Sequence, residues 1–156
     1  MSNEQWSLLV GLPQSVMTAA SAAERDSGHR THAEGEAGLE AISDGRNNGN
    51  PLVEAIAAEV IDRLGGDPEL GEEPEVVPVP DDPSRAIADC LSRAAEARTL
   101  LGSTVDDGDA GAYRHWLVTI AERVVEAAAS GVLGFGEQVS ESEQDFVRDL
   151  TVALND

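Results

Sequence analysis

The stretch YRHWLVTIAERVVEAA, residues 113–128, decides the fold class of this 156-residue chain. Its apolar residues return every three or four positions, which is the period of a helix with one buried face. The residues with this spacing are Tyr113, Trp116, Leu117, Ile120, Val124 and Ala128. The pattern predicts a long helix that ends at Gly131, after the acidic turn DDGDAG at residues 106–111.

The same period recurs on both sides of this segment. Towards the N-terminus it predicts one helix over about residues 5–25, broken at Pro13 because proline lacks the backbone N–H that a helix interior needs. A helix over about residues 84–101 comes before the acidic turn. Its apolar face includes Cys90, the one cysteine, so no intramolecular disulfide is possible.

Three further helix starts are marked by capping residues. Thr31 with Glu34, and Ser140 with Glu143, have the Ser/Thr-x-x-Glu form of a capping box, in which each side chain binds a backbone N–H of the other residue. Asn50 followed by Pro51 is a second kind of helix start. These signals predict helices over about residues 31–43, 51–64 and from residue 140 onwards.

Residues 66–82 interrupt the helical pattern. Seven carboxylates and no basic residue occur there, together with prolines that include Pro78 and Pro80. Such a segment is typical of a linker. We therefore predict a single all-α domain over residues 1–156, a bundle of about six helices with one half at about 4–65 and the other at about 83–156. The two halves are either a degenerate duplication or two unrelated sets of capped helices.

The charge balance is strongly acidic. The chain has 30 Asp and Glu, 10 basic residues that are all Arg, and a net charge of -20. This balance argues against binding nucleic acid or an anionic membrane, because both require cationic contacts. A lysine-free acidic surface is typical of salt-in halophilic microbes, while a GC-rich genome also favours Arg, Asp and Ala. With no signal peptide and no stretch of membrane-spanning length, we expect a cytoplasmic protein.

Two segments contain possible metal ligands. His29 and His32 lie among four carboxylates that include Glu34, and imidazole and carboxylate groups bind divalent metals. A solvated loop is the alternative for this segment. The acidic turn at 106–111 lacks the glycine and glutamate of a calcium-binding EF-hand loop, so its aspartates are interpreted as favouring the positive end of the next helix.

The last forty residues resemble the tellurite-resistance-B-like family of helical domains. The match rests on Val124, Ala127, Val139, Ser140, Glu143 and Leu150. The resemblance implies a helical fold, metal binding through acidic residues and a place in stress-response complexes. The loop before Ser140 reads GVLGFGEQ and has one acidic residue, so the residues that would retain a metal role are Glu137 and Glu143, with Glu34 from the first half.

The leading functional hypothesis is a non-enzymatic interaction or stress-associated accessory module with a protein partner. It predicts no cofactor. One alternative is a domain that binds a divalent metal through carboxylates and histidines. Another is an acidic mimic of nucleic acid that occupies a basic partner.

Overall fold

The computed structural model describes residues 2–23, 31–64, 83–130 and 141–155, and it confirms the all-α class. These residues form six α-helices and no strand. The helices are α1 (Asn3–Ala23), α2 (Thr31–Asp44), α3 (Pro51–Leu64), α4 (Pro83–Thr104), α5 (Asp107–Ser130) and α6 (Glu141–Asn155), with a 3-10 turn at Gly45–Asn47. The predicted linker at 66–82 lies outside the described residues.

Helices α1 and α5 form the centre of the bundle, and each contacts every other helix. The most extensive pairings are those of α1 with α4 and of α2 with α5. The central position of α1 follows from its composition, since Glu4 is its one charged residue. The buried apolar residues of all six helices belong to one core cluster, so the predicted halves share a core. Whether they arose by duplication stays a prediction.

The predicted break at Pro13 is wrong, because α1 is continuous from Asn3 to Ala23. Pro13 has no N–H to donate to the carbonyl of Leu9, four residues earlier. The hydroxyl of Tyr113, buried in α5, donates a 2.8 Å hydrogen bond to that carbonyl instead. The carbonyl therefore has a donor inside the core, and the helix continues through the proline.

The start of α3 follows the sequence prediction. The side-chain oxygen of Asn50 accepts hydrogen bonds from the backbone N–H groups of Leu52 and Val53 at 3.0 and 3.2 Å, as an N-cap residue does. Gly49, just before it, has a φ of 92°, a conformation that favours glycine. The amide of Asn50 also donates to Asp109 at 2.9 Å, which joins the starts of α3 and α5.

The other boundaries differ little from their predictions. Helix α4 passes through Gly102 to Thr104, and α5 begins at Asp107, inside the predicted acidic turn. Helices α2 and α6 begin at Thr31 and Glu141, where the capping boxes place them. Among the described residues, no helix combines the length and apolarity needed to cross a membrane.

Candidate functional site

The structure describes no side chain of the five residues predicted to bind metal. His32 and Glu34 are in the first turn of α2 and Glu143 is in the first turn of α6, but their side chains are outside the described set. His29 and Glu137 lie outside the described residues altogether. Within the described part of the chain, no three His, Cys, Asp or Glu residues are grouped as metal ligands. The metal hypothesis therefore stays a prediction.

Helices α2 and α5 pack closely and run antiparallel. Gly38, early in this contact, faces Val124, and Gly45, just after α2, lies against the ring of Trp116. The indole N–H of Trp116 donates to the carbonyl of Ala41 at 3.1 Å. The small residues in and just after α2 thus let α5 approach closely enough for the indole of Trp116 to bind the backbone of α2.

The solvent side of this helix pair is acidic. Helix α2 exposes Glu40 and Asp44 one turn apart, and α5 exposes Glu122 and Glu126 one turn apart. We call these four carboxylates the α2–α5 patch. Arg123, on α5, pairs with Asp44, on α2, at 2.9 Å. In the described part of the chain, the other three carboxylates have no ion pair, so a patch of four negative charges contains one cation.

A second feature is an open groove of about 360 Å³ between α1 and α4. One wall consists of α1 residues and the other of α4 residues. The lining residues are Gly11, Gln14, Ser15 and Thr18 from α1, and Ala86, Asp89, Cys90 and Arg93 from α4. Their side chains are short or polar, which leaves the space open. A methyl group added at Gly11 would meet no atom within 4 Å.

A chain of hydrogen bonds crosses this groove. The guanidinium group of Arg93 donates to the hydroxyl oxygen of Ser15 at 3.0 Å, and that hydroxyl donates to the carbonyl of Gly11 at 3.3 Å. Asp89 lies one turn before Arg93 on the same helix, at a spacing where an intrahelical pair normally forms. Within the described residues, Asp89 and Arg93 make no ion pair. Both charges therefore line the groove without neutralising each other.

The floor of the groove is uncharged. Cys90 is 1% exposed, and burial raises the pKa of its thiol to about 12, although Arg93 opposes part of this increase. Burial also raises the pKa of Tyr113 well above its usual value, with a smaller contribution from Cys90. A thiol with such a pKa stays protonated near neutral pH, so it is a poor nucleophile and metal ligand. Cys90 acts here as a small core residue, as its position on the apolar face of α4 predicts.

Sequence reasoning missed both of these surfaces. The spacing of Asp89 and Arg93 indicates a pair within α4, whereas the structure directs Arg93 to Ser15 on another helix. That contact depends on the packing of α1 against α4, which no local pattern encodes. The carboxylates of the α2–α5 patch were counted in the net charge, but their grouping depends on the antiparallel pairing of α2 and α5.

Comparison with known proteins identifies no relative. No protein-family model matches the chain, and no similar curated protein or solved structure is found.

Proposed function

We propose that this protein is a non-enzymatic accessory module that binds a cationic protein partner through the α2–α5 patch. The observation that carries the proposal is the pair between Arg123 and Asp44. An arginine side chain already lies on the patch at hydrogen-bonding distance, so the surface has the geometry to accept a guanidinium group. Three further carboxylates remain for the partner.

Charge complementarity determines the association rate and the salt dependence of this binding. Exposed carboxylates attract a cationic partner over several ångströms, and this attraction increases the association rate more than the final affinity. Salt screens such contacts. We therefore expect an interaction that forms rapidly, weakens at high ionic strength and favours partners rich in arginine.

The distribution of charge favours this proposal over a nucleic-acid mimic. Described carboxylates occur on all six helices, among them Glu4 on α1, Glu59 on α3, Glu96 on α4 and Asp149 on α6. A mimic needs its charges in phosphate-like rows. Charge spread over every helix instead suits a general acidic surface, on which the α2–α5 patch is a local concentration.

A set of charge-matched variants tests the proposal. The patch variant carries Glu40→Gln, Glu122→Gln and Glu126→Gln, which leaves the Asp44–Arg123 pair in place. The control variant carries Asp62→Asn, Glu96→Gln and Asp106→Asn, all at exposed positions on other surfaces. Both variants lose three negative charges, so any difference between them reports on position and not on net charge.

The measurement is affinity capture from the source cells, followed by titration with the purified partner. Each exposed ion pair contributes about 0.2–1 kcal/mol, so three should change Kd by roughly tenfold. We expect a stoichiometric cationic partner to be captured by the wild type and the control, and to bind the patch variant about tenfold more weakly. Equal binding to all three proteins, or turnover of a substrate by the purified chain, would contradict the proposal.

A further inference from the structure

The groove between α1 and α4 is separate from the α2–α5 patch and has different chemistry. It contains a cationic group, Arg93, and an anionic group, Asp89, on successive turns of α4. Its floor is formed by small residues, which include Ala86 and the buried Cys90. The groove therefore combines two opposite charges with small, uncharged lining residues.

The hydrogen bonds fix Arg93 while leaving donors for a ligand. The hydroxyl of Ser15 has one proton, which goes to the carbonyl of Gly11, so its oxygen accepts from Arg93. One guanidinium nitrogen is engaged in this contact. A guanidinium group carries five N–H donors and binds carboxylates through two of them at once, so the remaining donors can hold a carboxylate.

The pair of charges selects the class of ligand. A simple anion would meet Arg93 but would be repelled by Asp89 and by the net charge of -20. A simple cation would be attracted by Asp89 and by the net charge, but it would be repelled by Arg93 and would leave the free donors of Arg93 without an acceptor. A molecule with a carboxylate and an ammonium group satisfies both, and its carbon atoms can cover the small residues of the floor.

The size of the groove limits the ligand. Small-molecule sites generally occupy about 300–1,000 Å³, so a groove of about 360 Å³ is at the small end of this range. We propose that the α1–α4 groove binds a small zwitterion of the α-amino acid type, with its carboxylate on Arg93 and its ammonium group on Asp89.

The test uses the full chain and three probes of matched size. L-Alanine carries both charges, propionate carries the anion and propylamine carries the cation. Backbone amide chemical shifts are followed by NMR at constant ionic strength and pH 7, up to about 50 mM probe, because exposed charges support only weak binding. We expect saturable shifts with L-alanine at residues of α1 and α4, and about two- to fivefold weaker binding of the other two probes, because each lacks one of the two exposed ionic contacts.

Variants separate the groove from nonspecific charge effects. Gly11→Leu should fill the open space and abolish the L-alanine shifts. Gly102→Leu is the matched control, because Gly102 is an exposed residue of α4 outside the groove where an added methyl meets no atom within 4 Å, and it should leave binding within about twofold. Asp89→Asn and Arg93→Gln should each weaken binding about two- to fivefold. These two changes lie at exposed positions, so they test the inference even if the leucine variant fails to fold.

Three results would overturn the inference. They are the absence of saturable L-alanine shifts, equal binding of propionate or propylamine, and unchanged binding in a folded Gly11→Leu protein. None of these results bears on the α2–α5 patch, because the probes and variants involve α1 and α4 alone.

Discussion

Gly45 lies directly against the indole ring of Trp116. A methyl group at position 45 would be 2.7 Å from the ring atoms Cε2 and Nε1, closer than side-chain carbons approach one another. The ring cannot easily withdraw, because its N–H group is bound to the carbonyl of Ala41 and its exposed fraction is 3%. The contact therefore fixes both the residue type at 45 and the distance between α2 and α5.

Gly45→Ala should destabilise the protein. Overpacking a well-filled core costs about 1–3 kcal/mol, which exceeds the gain of up to about 1 kcal/mol that alanine normally brings to a helix. Urea unfolding followed by circular dichroism measures the difference. Gly111→Ala, on an exposed turn of α5 with no atom within 4 Å of the added methyl, should stabilise the protein. A gain in stability at both positions would contradict the packing contact.

Tyr113→Phe should reveal the role of Pro13. The change removes the hydroxyl that donates to the carbonyl of Leu9 and leaves a buried acceptor without a donor, at a cost of about 1–3 kcal/mol. In a Pro13→Ala background the backbone N–H of residue 13 can donate to the same carbonyl, so Tyr113→Phe should cost less there. A double-mutant cycle by urea unfolding measures this coupling. Equal costs in both backgrounds would show that Tyr113 does not substitute for the missing amide.

The free energy of unfolding should fall as the pH rises above about 9. Burial raises the pKa of Cys90 from 9.0 to about 12 in the folded chain. Between these values the unfolded chain releases the proton while the folded chain retains it, so ionisation favours unfolding. Tyr113 has its pKa raised in the same direction and adds to the loss above about pH 10. Stability conferred by the neutral thiol is thus present below pH 9 and is lost as the pH increases.

The contribution of Cys90 can be isolated. Cys90→Ala removes the thiol, so its unfolding free energy should fall less steeply between pH 8.5 and 10 than that of the wild type. The native thiol should also resist a thiol-labelling reagent at pH 8 until urea unfolds the chain. Rapid labelling of the folded protein would show that Cys90 is more accessible than its burial indicates.

Stability should increase with salt. The chain carries a net charge of -20, and the screening length falls from about 10 Å at 0.1 M to about 3 Å at 1 M. Repulsion between exposed carboxylates should therefore diminish, and Tm should rise across this range of NaCl. The variant with Asp62→Asn, Glu96→Gln and Asp106→Asn should show a smaller increase. A flat salt dependence in both proteins would remove the salt-adapted interpretation of the surface.

The sequence predicted the helices better than their arrangement. Cap signals at Thr31, Asn50 and Ser140 act over three or four residues, so a local pattern was enough to place the starts of α2, α3 and α6. The predicted break at Pro13 was wrong for the same reason. The local effect of proline is to break a helix, and the compensating hydroxyl belongs to Tyr113, 104 positions after Leu9, whose carbonyl it binds.

The candidate surfaces could not be predicted from the sequence for a related reason. The groove requires α1 beside α4, and the α2–α5 patch requires the antiparallel pairing of α2 with α5. Glycine in a helical pattern usually indicates a less stable helix or a helix end, so no local pattern predicted that Gly38 and Gly45 are sites of close approach. Pairing partners are a property of the whole core, whereas periodicity describes one helix at a time.

The central position of α1 affects how the protein can be made. This helix precedes α4 and α5 in the chain, yet its most extensive contact is with α4, and Tyr113 of α5 completes its hydrogen bonding. The part of its apolar face that packs on these two helices therefore stays uncovered until both have been synthesised. Contacts this distant in sequence slow folding and lengthen the exposure of apolar surface. During that interval the face of α1 that later packs on α4 and α5 is open to contact with other apolar surfaces.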